Sequence, residues 1–136
     1  MEPPIEPTLN LSRPKETTLA IQFLYASLAL GLIRAVFGLT QRTSGAALIL
    51  AALIVISFFA LGFFVVWKIS TRRNWARIIL LILVLINLPF AVLANISELK
   101  QSVLSGSFSI LIELILWVGT YLLFTKNSNL WFRGRK

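Results

Sequence analysis

The sequence contains no cysteine and no histidine, and only five of its 136 residues are acidic. Without thiol and imidazole groups, the chain lacks the usual ligands for zinc and haem, and it can perform neither thiol chemistry nor imidazole acid–base catalysis. The absence of cysteine also excludes lipoprotein and palmitoyl anchors. We therefore predict neither a metal site nor a cofactor.

Charge of either sign is scarce. Charged residues make up 13% of the chain and hydrophobic residues 57%, whereas in a soluble domain about a quarter of the residues are charged. A water-soluble fold of this size could not cover so much apolar surface with so few charges, so lipid must surround most of the chain. The net charge of +8 does not indicate a nucleic-acid partner, because the basic residues flank apolar runs instead of forming one patch.

Four apolar runs are long enough to cross a bilayer. They cover about residues 19–39, 46–67, 75–94 and 103–124. A helix needs about 20 apolar residues to cross the hydrocarbon core, and backbone groups in lipid must be hydrogen-bonded within the segment. Because the runs do not alternate as the strands of a barrel would, the predicted fold class is all-α, a transmembrane bundle of four helices.

The basic residues predict the orientation of these helices. We expect a disordered, proline-rich segment over residues 1–18, the membrane domain over 19–124 and a basic tail over 125–136. Ten of the 13 Lys and Arg residues fall on the side of the two termini. They are Arg13, Lys15, Lys68, Arg72, Arg73, Arg77, Lys126, Arg133, Arg135 and Lys136, against Arg34, Arg42 and Lys100 on the other side. Since basic loops remain in the cytoplasm, both termini are predicted to be cytoplasmic.

Two charged residues, Arg34 and Glu113, lie inside the predicted spans. At 1.5 Å per residue, both could lie within about 8 Å of the outer hydrocarbon boundary. An ionised group there costs on the order of a few kcal/mol unless it is paired or hydrated, so we predict that the two face each other between the first and fourth spans. Such a pair could simply lock the helices together. Alternatively, Glu113 could be a proton or cation site tuned by Arg34, or Arg34 could extend to the outer surface.

Small and polar side chains form a stripe on three of the predicted helices. The stripes consist of Ser27, Gly31 and Ala35, of Asn87, Ala91 and Asn95, and of Gly106, Ser109, Glu113 and Thr120. Spacings of three and four place residues on one helix face, and small residues let membrane helices approach closely. We predict that these faces line the inside of the bundle. Pro89 cannot donate to the Leu85 carbonyl, which predicts a kink at this point.

Aromatic and basic residues flank the runs on the predicted cytoplasmic side. They are Trp67, Lys68, Arg72, Arg73, Trp75 and Arg77 between the second and third runs, and Trp131, Arg133, Arg135 and Lys136 in the tail. Tryptophan favours the membrane interface, and each cation near an anionic surface contributes about 1 kcal/mol. These residues therefore predict contact with a lipid bilayer that has anionic headgroups, or alternatively a docking surface for an acidic or membrane partner.

Two short motifs carry a resemblance. The loop Arg73-Asn-Trp-Ala-Arg77 leads directly into a span, and after the last span a short polar link leads into a basic tail with the run Leu130-Trp131-Phe132-Arg133. Both resemble uncharacterised small bacterial inner-membrane proteins with four spans. Their pattern usually has glycine before the arginine of the loop, where this chain has Arg72. The resemblance implies a bacterial inner membrane and transfers no activity and no catalytic residue.

Three functional hypotheses remain. The sequence has no Walker loop, dinucleotide fingerprint, paired catalytic carboxylates or Ser/Lys dyad, so we predict no enzyme activity. The first hypothesis is a non-enzymatic subunit, scaffold or regulator that associates with itself or with another membrane protein. The second is an oligomeric channel or proton-coupled transporter that uses Glu113. The third, based on architecture alone, is an immunity protein against a pore-forming toxin.

Overall fold

The computed structural model describes residues 12–42 and 45–133, and this part of the chain forms five α-helices and no strand. The helices are α1 (Lys15–Arg42), α2 (Ala46–Ser70), α3 (Asn74–Gln101), α4 (Val103–Leu122) and α5 (Lys126–Arg133). The first four are long and apolar enough to cross a membrane. The predicted all-α fold with four spanning helices is confirmed, and the protein is a small integral membrane protein.

The four long helices form an antiparallel ring. Helix α1 packs on α2 and α4, and α3 packs on the same two neighbours. Short connections impose this arrangement: residues 71–73 join α2 to α3, and Ser102 alone joins α3 to α4. We call the end that holds the start of α1, the 71–73 connection and α5 the α5 end, and the other the opposite end.

The apolar core fills only the half of the bundle next to α5. Its members are Ala20, Ile21, Leu24, Val65, Val66, Ile69, Ala76, Leu80, Val84, Leu123, Trp131 and Phe132. They come from the start of α1, the end of α2, the first part of α3, the end of α4 and α5, which all meet at one end of an antiparallel ring. In the opposite half, apolar side chains face outward; Ile49 is 65% exposed and Leu104 is 84% exposed. Such exposure is favourable in lipid, so the buried apolar core is confined to the α5 half.

Three helices extend beyond the predicted spans, α2 by only three residues and α1 and α3 by more. Helix α1 begins at Lys15, so residues 15–18 are helical and the predicted disorder is wrong for them. Helix α3 continues to Gln101, about two turns past its predicted end, because no proline or glycine interrupts the polar residues after Ala94. The predictions for residues 1–11, Arg135 and Lys136 lie outside the described residues.

Arg72 adopts a backbone conformation that side chains disfavour. Its φ is 63°, and the left-handed region costs a residue with a Cβ roughly 1–2 kcal/mol. This is also the position at which the resembled loop pattern has glycine. The Arg72 side chain offsets the strain through Trp131: its Nη2 donates to the Trp131 carbonyl oxygen, and its Cζ lies 4.6 Å from the centroid of the Trp131 ring.

We expect Arg72→Ala to lower the free energy of unfolding by about 1 kcal/mol more than Arg72→Gly does. Both substitutions remove the contacts with Trp131, but only alanine retains the backbone penalty. Equilibrium unfolding in mixed detergent micelles measures the difference. Equal stabilities of the two variants would show that the backbone at position 72 is not strained.

Candidate functional site

At the opposite end, an ion pair joins two helices that face each other across the ring. Arg34 of α1 places Nη2 against Oε2 of Glu98 on α3. The Arg34 side chain is 34% exposed and the Glu98 side chain 17%. Partial burial lowers the local dielectric constant, so the attraction is stronger than in a fully exposed pair. The pair therefore ties α1 to α3 in the half of the bundle that lacks the apolar core.

The predicted pair of Arg34 with Glu113 is wrong. Gly106 lies against Leu99, which places Glu98 near the level of Gly106. Glu113 lies seven residues further along α4, about 10 Å closer to the α5 end. Sequence reasoning missed Glu98 because it ended the third span before this residue. The stripe of Asn87, Ala91 and Asn95 continues to position 98 at the next helical step, and this signal could have identified it.

Polar side chains also join α3 and α4. The Ser109 hydroxyl donates to Asn95 Oδ1 at 2.6 Å, and both residues belong to stripes predicted to face inward. Gly106, Ser109 and Thr120 are buried, so the inward orientation predicted for them is confirmed. Thr120 donates to the Leu116 carbonyl of its own helix at 2.8 Å and therefore needs no partner on another helix.

Glu113 occupies the same stripe of α4. Its Oε1 is buried and has no hydrogen-bond partner within the described ranges. A buried acceptor without a donor carries a desolvation cost of about 1–3 kcal/mol, and more when it is charged. A proton, a bound cation or a donor from another chain would each remove this cost, so Glu113 is the residue of the described interior most suited to binding.

A cavity of about 170 Å³ lies between the four helices. It is largely apolar, and its lining includes Phe59 and two residues of α4 near Glu113, namely Ile112 and Leu116. Ser27 and Asn87 add polar groups to the wall, but the Ser27 hydroxyl already donates to the Leu24 carbonyl at 2.9 Å. Phe58 and Leu61 of the lining are exposed, so the pocket opens to the outside of the bundle between apolar walls that offer few partners to water.

Pro89 lies inside α3, which runs without interruption from Asn74 to Gln101. The residue is exposed, so its ring faces away from the bundle interior. The kink that the sequence indicates here stays a prediction.

We expect a double-mutant cycle to find a coupling free energy of about 1–2 kcal/mol between Arg34 and Glu98. Arg34→Met and Glu98→Gln each leave the partner unpaired, so the two single variants together should cost more than the double variant. Unfolding free energies of the four proteins give the coupling. The matched control is the cycle of Arg34→Met with Glu113→Gln, whose coupling should be well below this value. A larger coupling to Glu113 would contradict the pairing described above.

The predicted interfacial residues divide into two groups. Trp67 is 51% exposed and Trp75 is 43% exposed, as contact with lipid headgroups requires. In contrast, Trp131 is 6% exposed and Arg77 is 7% exposed, so the predicted headgroup contact is wrong for both. The reason is α5: the segment predicted to be a basic tail forms a helix that folds back onto the end of the bundle.

Hydrogen bonds hold α5 on the start of α1. The hydroxyls of Thr17 and Ser128 are 2.9 Å apart and both are buried. Ser128 donates to the Leu122 carbonyl at 2.8 Å, so Thr17 is the donor to Ser128. Asn127 Nδ2 donates to Glu16 Oε1 at 2.9 Å. Sequence reasoning singled out none of these contacts, because they join residues more than 100 positions apart.

Arg77 connects α3 to α5. Its Nη1 donates to Asn129 Oδ1 at 2.6 Å and to the Leu123 carbonyl at 3.4 Å. Its Cζ lies 4.8 Å from the centroid of the Phe132 ring and 5.4 Å from that of Phe124. Guanidinium groups at such distances are attracted to aromatic faces. Arg77 therefore contacts both polar and aromatic groups of α5 and of the connection before it.

Comparison of the chain with protein-family models, with curated proteins and with solved structures gave no match. Within residues 12–42 and 45–133, no group of three His, Cys, Asp or Glu residues could hold a metal ion. The possible roles of Arg34, Glu98 and Glu113 therefore rest on their contacts in this chain.

Proposed function

We propose that this small integral membrane protein is non-enzymatic and acts by contact, as a subunit, scaffold or regulator of a membrane complex. The observation that carries the proposal is the closed α5 half of the bundle. Leu24, Ile69 and Leu123 are fully buried there, and α5 covers them with Trp131 and Phe132. Close-packed interiors leave no room for water-sized solutes, so a solute could not follow the axis of a single chain without displacing this core.

Helix α2 is the surface best suited to contact. One side of this helix packs on α1 through residues such as Phe59 and Gly62. The other side bears exposed apolar residues, among them Ile49, Leu50 and Ile54, and is free to meet lipid or a neighbouring protein. Ser57 lies exposed near the middle of this face. Hydroxyl groups and small residues favour contact between helices in membranes, which supports association through α2 with a second copy or with another membrane protein.

The orientation and location form part of the proposal. The described α5 end holds eight Lys and Arg residues and one acidic residue, Glu16. Such an excess of cations supports a cytoplasmic α5 end. The resemblance of the 73–77 loop supports a bacterial inner membrane, with both termini in the cytoplasm.

Site-specific crosslinking tests the contact. A photoreactive amino acid at Ser57 should give one discrete protein adduct in native membranes, identified by mass spectrometry as a second copy or one membrane protein. The control is Ile86, which is also near mid-membrane and 61% exposed, on α3; it should give lipid adducts. Lipid adducts alone from both positions would contradict association through α2.

A second candidate function is proton or cation transport by an oligomer, which is supported by the buried and unpaired Oε1 of Glu113. Proteoliposomes separate the two functions. If the protein acts by contact, an imposed pH gradient should decay no faster than in empty vesicles. If the wild type accelerates the decay of the pH gradient and Glu113→Gln does not, the result would support transport and contradict the first proposal.

A further inference from the structure

Helix α5 and the connection that precedes it form a pocket on the surface of the α5 end. Its lining consists of Phe124, Lys126, Asn129, Leu130 and Arg133. The side chains of Lys126 and Arg133 are exposed, so their charges are available to a ligand. Leu130 is 60% exposed and adds an apolar surface beside the two cations. The pocket therefore offers positive charge and apolar surface together.

A third cation lies directly behind this pocket. Arg77 is buried, and it contacts two lining residues, Asn129 and Phe124. Its Nε has no hydrogen-bond partner in the part of the chain that the structure describes. Among the described residues, the ion pair is formed by Arg34 and Glu98 at the opposite end. It therefore supplies no carboxylate to Arg77. A buried guanidinium without a nearby carboxylate is costly, and an anion in the pocket would reduce that cost.

The surroundings strengthen the preference for an anion. Only Glu16 among the described residues of the α5 end is acidic, and its carboxylate accepts from Asn127. Cations that are clustered without counter-charges produce a local positive potential. Phosphate oxygens suit this environment, because Lys and Arg donate strong, charge-assisted hydrogen bonds to them.

We propose that this pocket binds the headgroup of one anionic phospholipid, with the phosphate between Lys126 and Arg133 and the first part of an acyl chain against Leu130. The exposed Leu130 favours a lipid over free phosphate, because a soluble anion would gain nothing from this apolar side chain. Exposed Trp67 and Trp75 lie at the same end of the bundle, which supports an interfacial position for the pocket. The site is independent of the proposed contact through α2.

The test is lipid binding by the full-length protein, delipidated and studied in detergent by native mass spectrometry. The probes are phosphatidylglycerol and phosphatidylcholine. Each cation near an anionic surface accounts for roughly a fivefold change in affinity, so Lys126→Gln with Arg133→Gln should weaken phosphatidylglycerol binding about 25-fold. The matched control removes two exposed cations of the same end that lie outside the pocket, by Lys15→Gln with Arg73→Gln. It should weaken binding less than threefold.

Several outcomes would overturn the proposal. Equal losses in the two double variants would mean general charge attraction, and equal binding of phosphatidylcholine would mean no selectivity for anionic lipid. Displacement by millimolar inorganic phosphate would indicate a site for a free anion. Thermal unfolding checks that each variant is folded. Phosphatidylglycerol should raise the Tm of the wild type and of the control variant, and it should leave the Tm of the Lys126/Arg133 variant unchanged.

Discussion

Replacement of Trp131 by alanine is expected to lower the free energy of unfolding by about 3–5 kcal/mol, the range found for buried Trp or Phe residues. Trp131 is 6% exposed, and its ring attracts two cations: the Cζ atoms of Arg13 and Arg72 lie 5.5 and 4.6 Å from the ring centroid. Truncation would leave a void under α5 and remove both contacts. Equilibrium unfolding in mixed micelles measures the loss, and we expect α5 to detach first.

The control for this prediction is Trp75→Ala. Trp75 is 43% exposed at the same end of the bundle, so the same change of side chain should cost less than about 1 kcal/mol. If both tryptophans behaved as interfacial residues, as the sequence alone indicates, the two variants would be equally stable. That result would contradict the burial of Trp131 between α5 and the rest of the bundle.

Gly106→Ala is expected to lower the free energy of unfolding by about 2 kcal/mol, after the gain in helix propensity is subtracted from the overpacking cost. A Cβ at this position would lie 2.7 Å from Leu99 Cδ2 and 2.8 Å from Leu99 Cα. Because Cα belongs to the backbone, the end of α3 would have to move away from α4, and overpacking of this kind costs about 1–3 kcal/mol. The movement would also disturb the neighbouring Ser109–Asn95 hydrogen bond and the Arg34–Glu98 pair.

Gly38→Ala provides the control. Gly38 is also helical, on α1, and a Cβ there would meet no atom within 4 Å. Alanine favours a helix by about 1 kcal/mol over glycine, so this variant should be as stable as the wild type or more stable. Unfolding experiments on the two variants should therefore give shifts of opposite sign. A destabilised Gly38→Ala variant beside a neutral Gly106→Ala variant would contradict the close approach of α3 to α4.

Much of the fold follows from the apolar runs. The second run, residues 46–67, contains almost no polar side chain, so hydrophobic length alone predicts α2, which the structure extends only to Ser70. The stripe of small and polar residues on the fourth run likewise predicts its buried face, including Ser109 and Thr120. Both signals are local, since they depend on the period of a single helix.

What the sequence did not reveal depends on contacts between distant segments. The sequence predicts that the third span ends near Ala94, because the charged residues Glu98 and Lys100 follow. In the structure these residues continue α3 to Gln101 and place Glu98 within reach of Arg34. The sequence predicts Trp131 at the interface, because a tryptophan beside basic residues is typical of membrane boundaries. Its burial results from α5 turning back onto the bundle, which no local pattern shows.

The structure divides the molecule into two halves with different physical properties. The α5 half has a close-packed apolar core and hydrogen bonds to a terminal helix. The opposite half has polar contacts instead, chiefly the Arg34–Glu98 pair, above a buried carboxylate at Glu113. This uneven packing is consistent with the proposed role of contact with a partner, because local stability need not be uniform along the bundle.

The most direct test of whether α5 closes its end of the bundle is disulfide formation between Thr17→Cys and Ser128→Cys. The chain has no cysteine of its own, and the two native hydroxyls are 2.9 Å apart. Mild oxidation in native membranes should therefore link positions 17 and 128 almost completely. The control pair, Thr17→Cys with Asn129→Cys, should link poorly, because Asn129 faces Arg77. Linkage of positions 17 and 128 no more efficient than that of the control would show that α5 does not close the bundle.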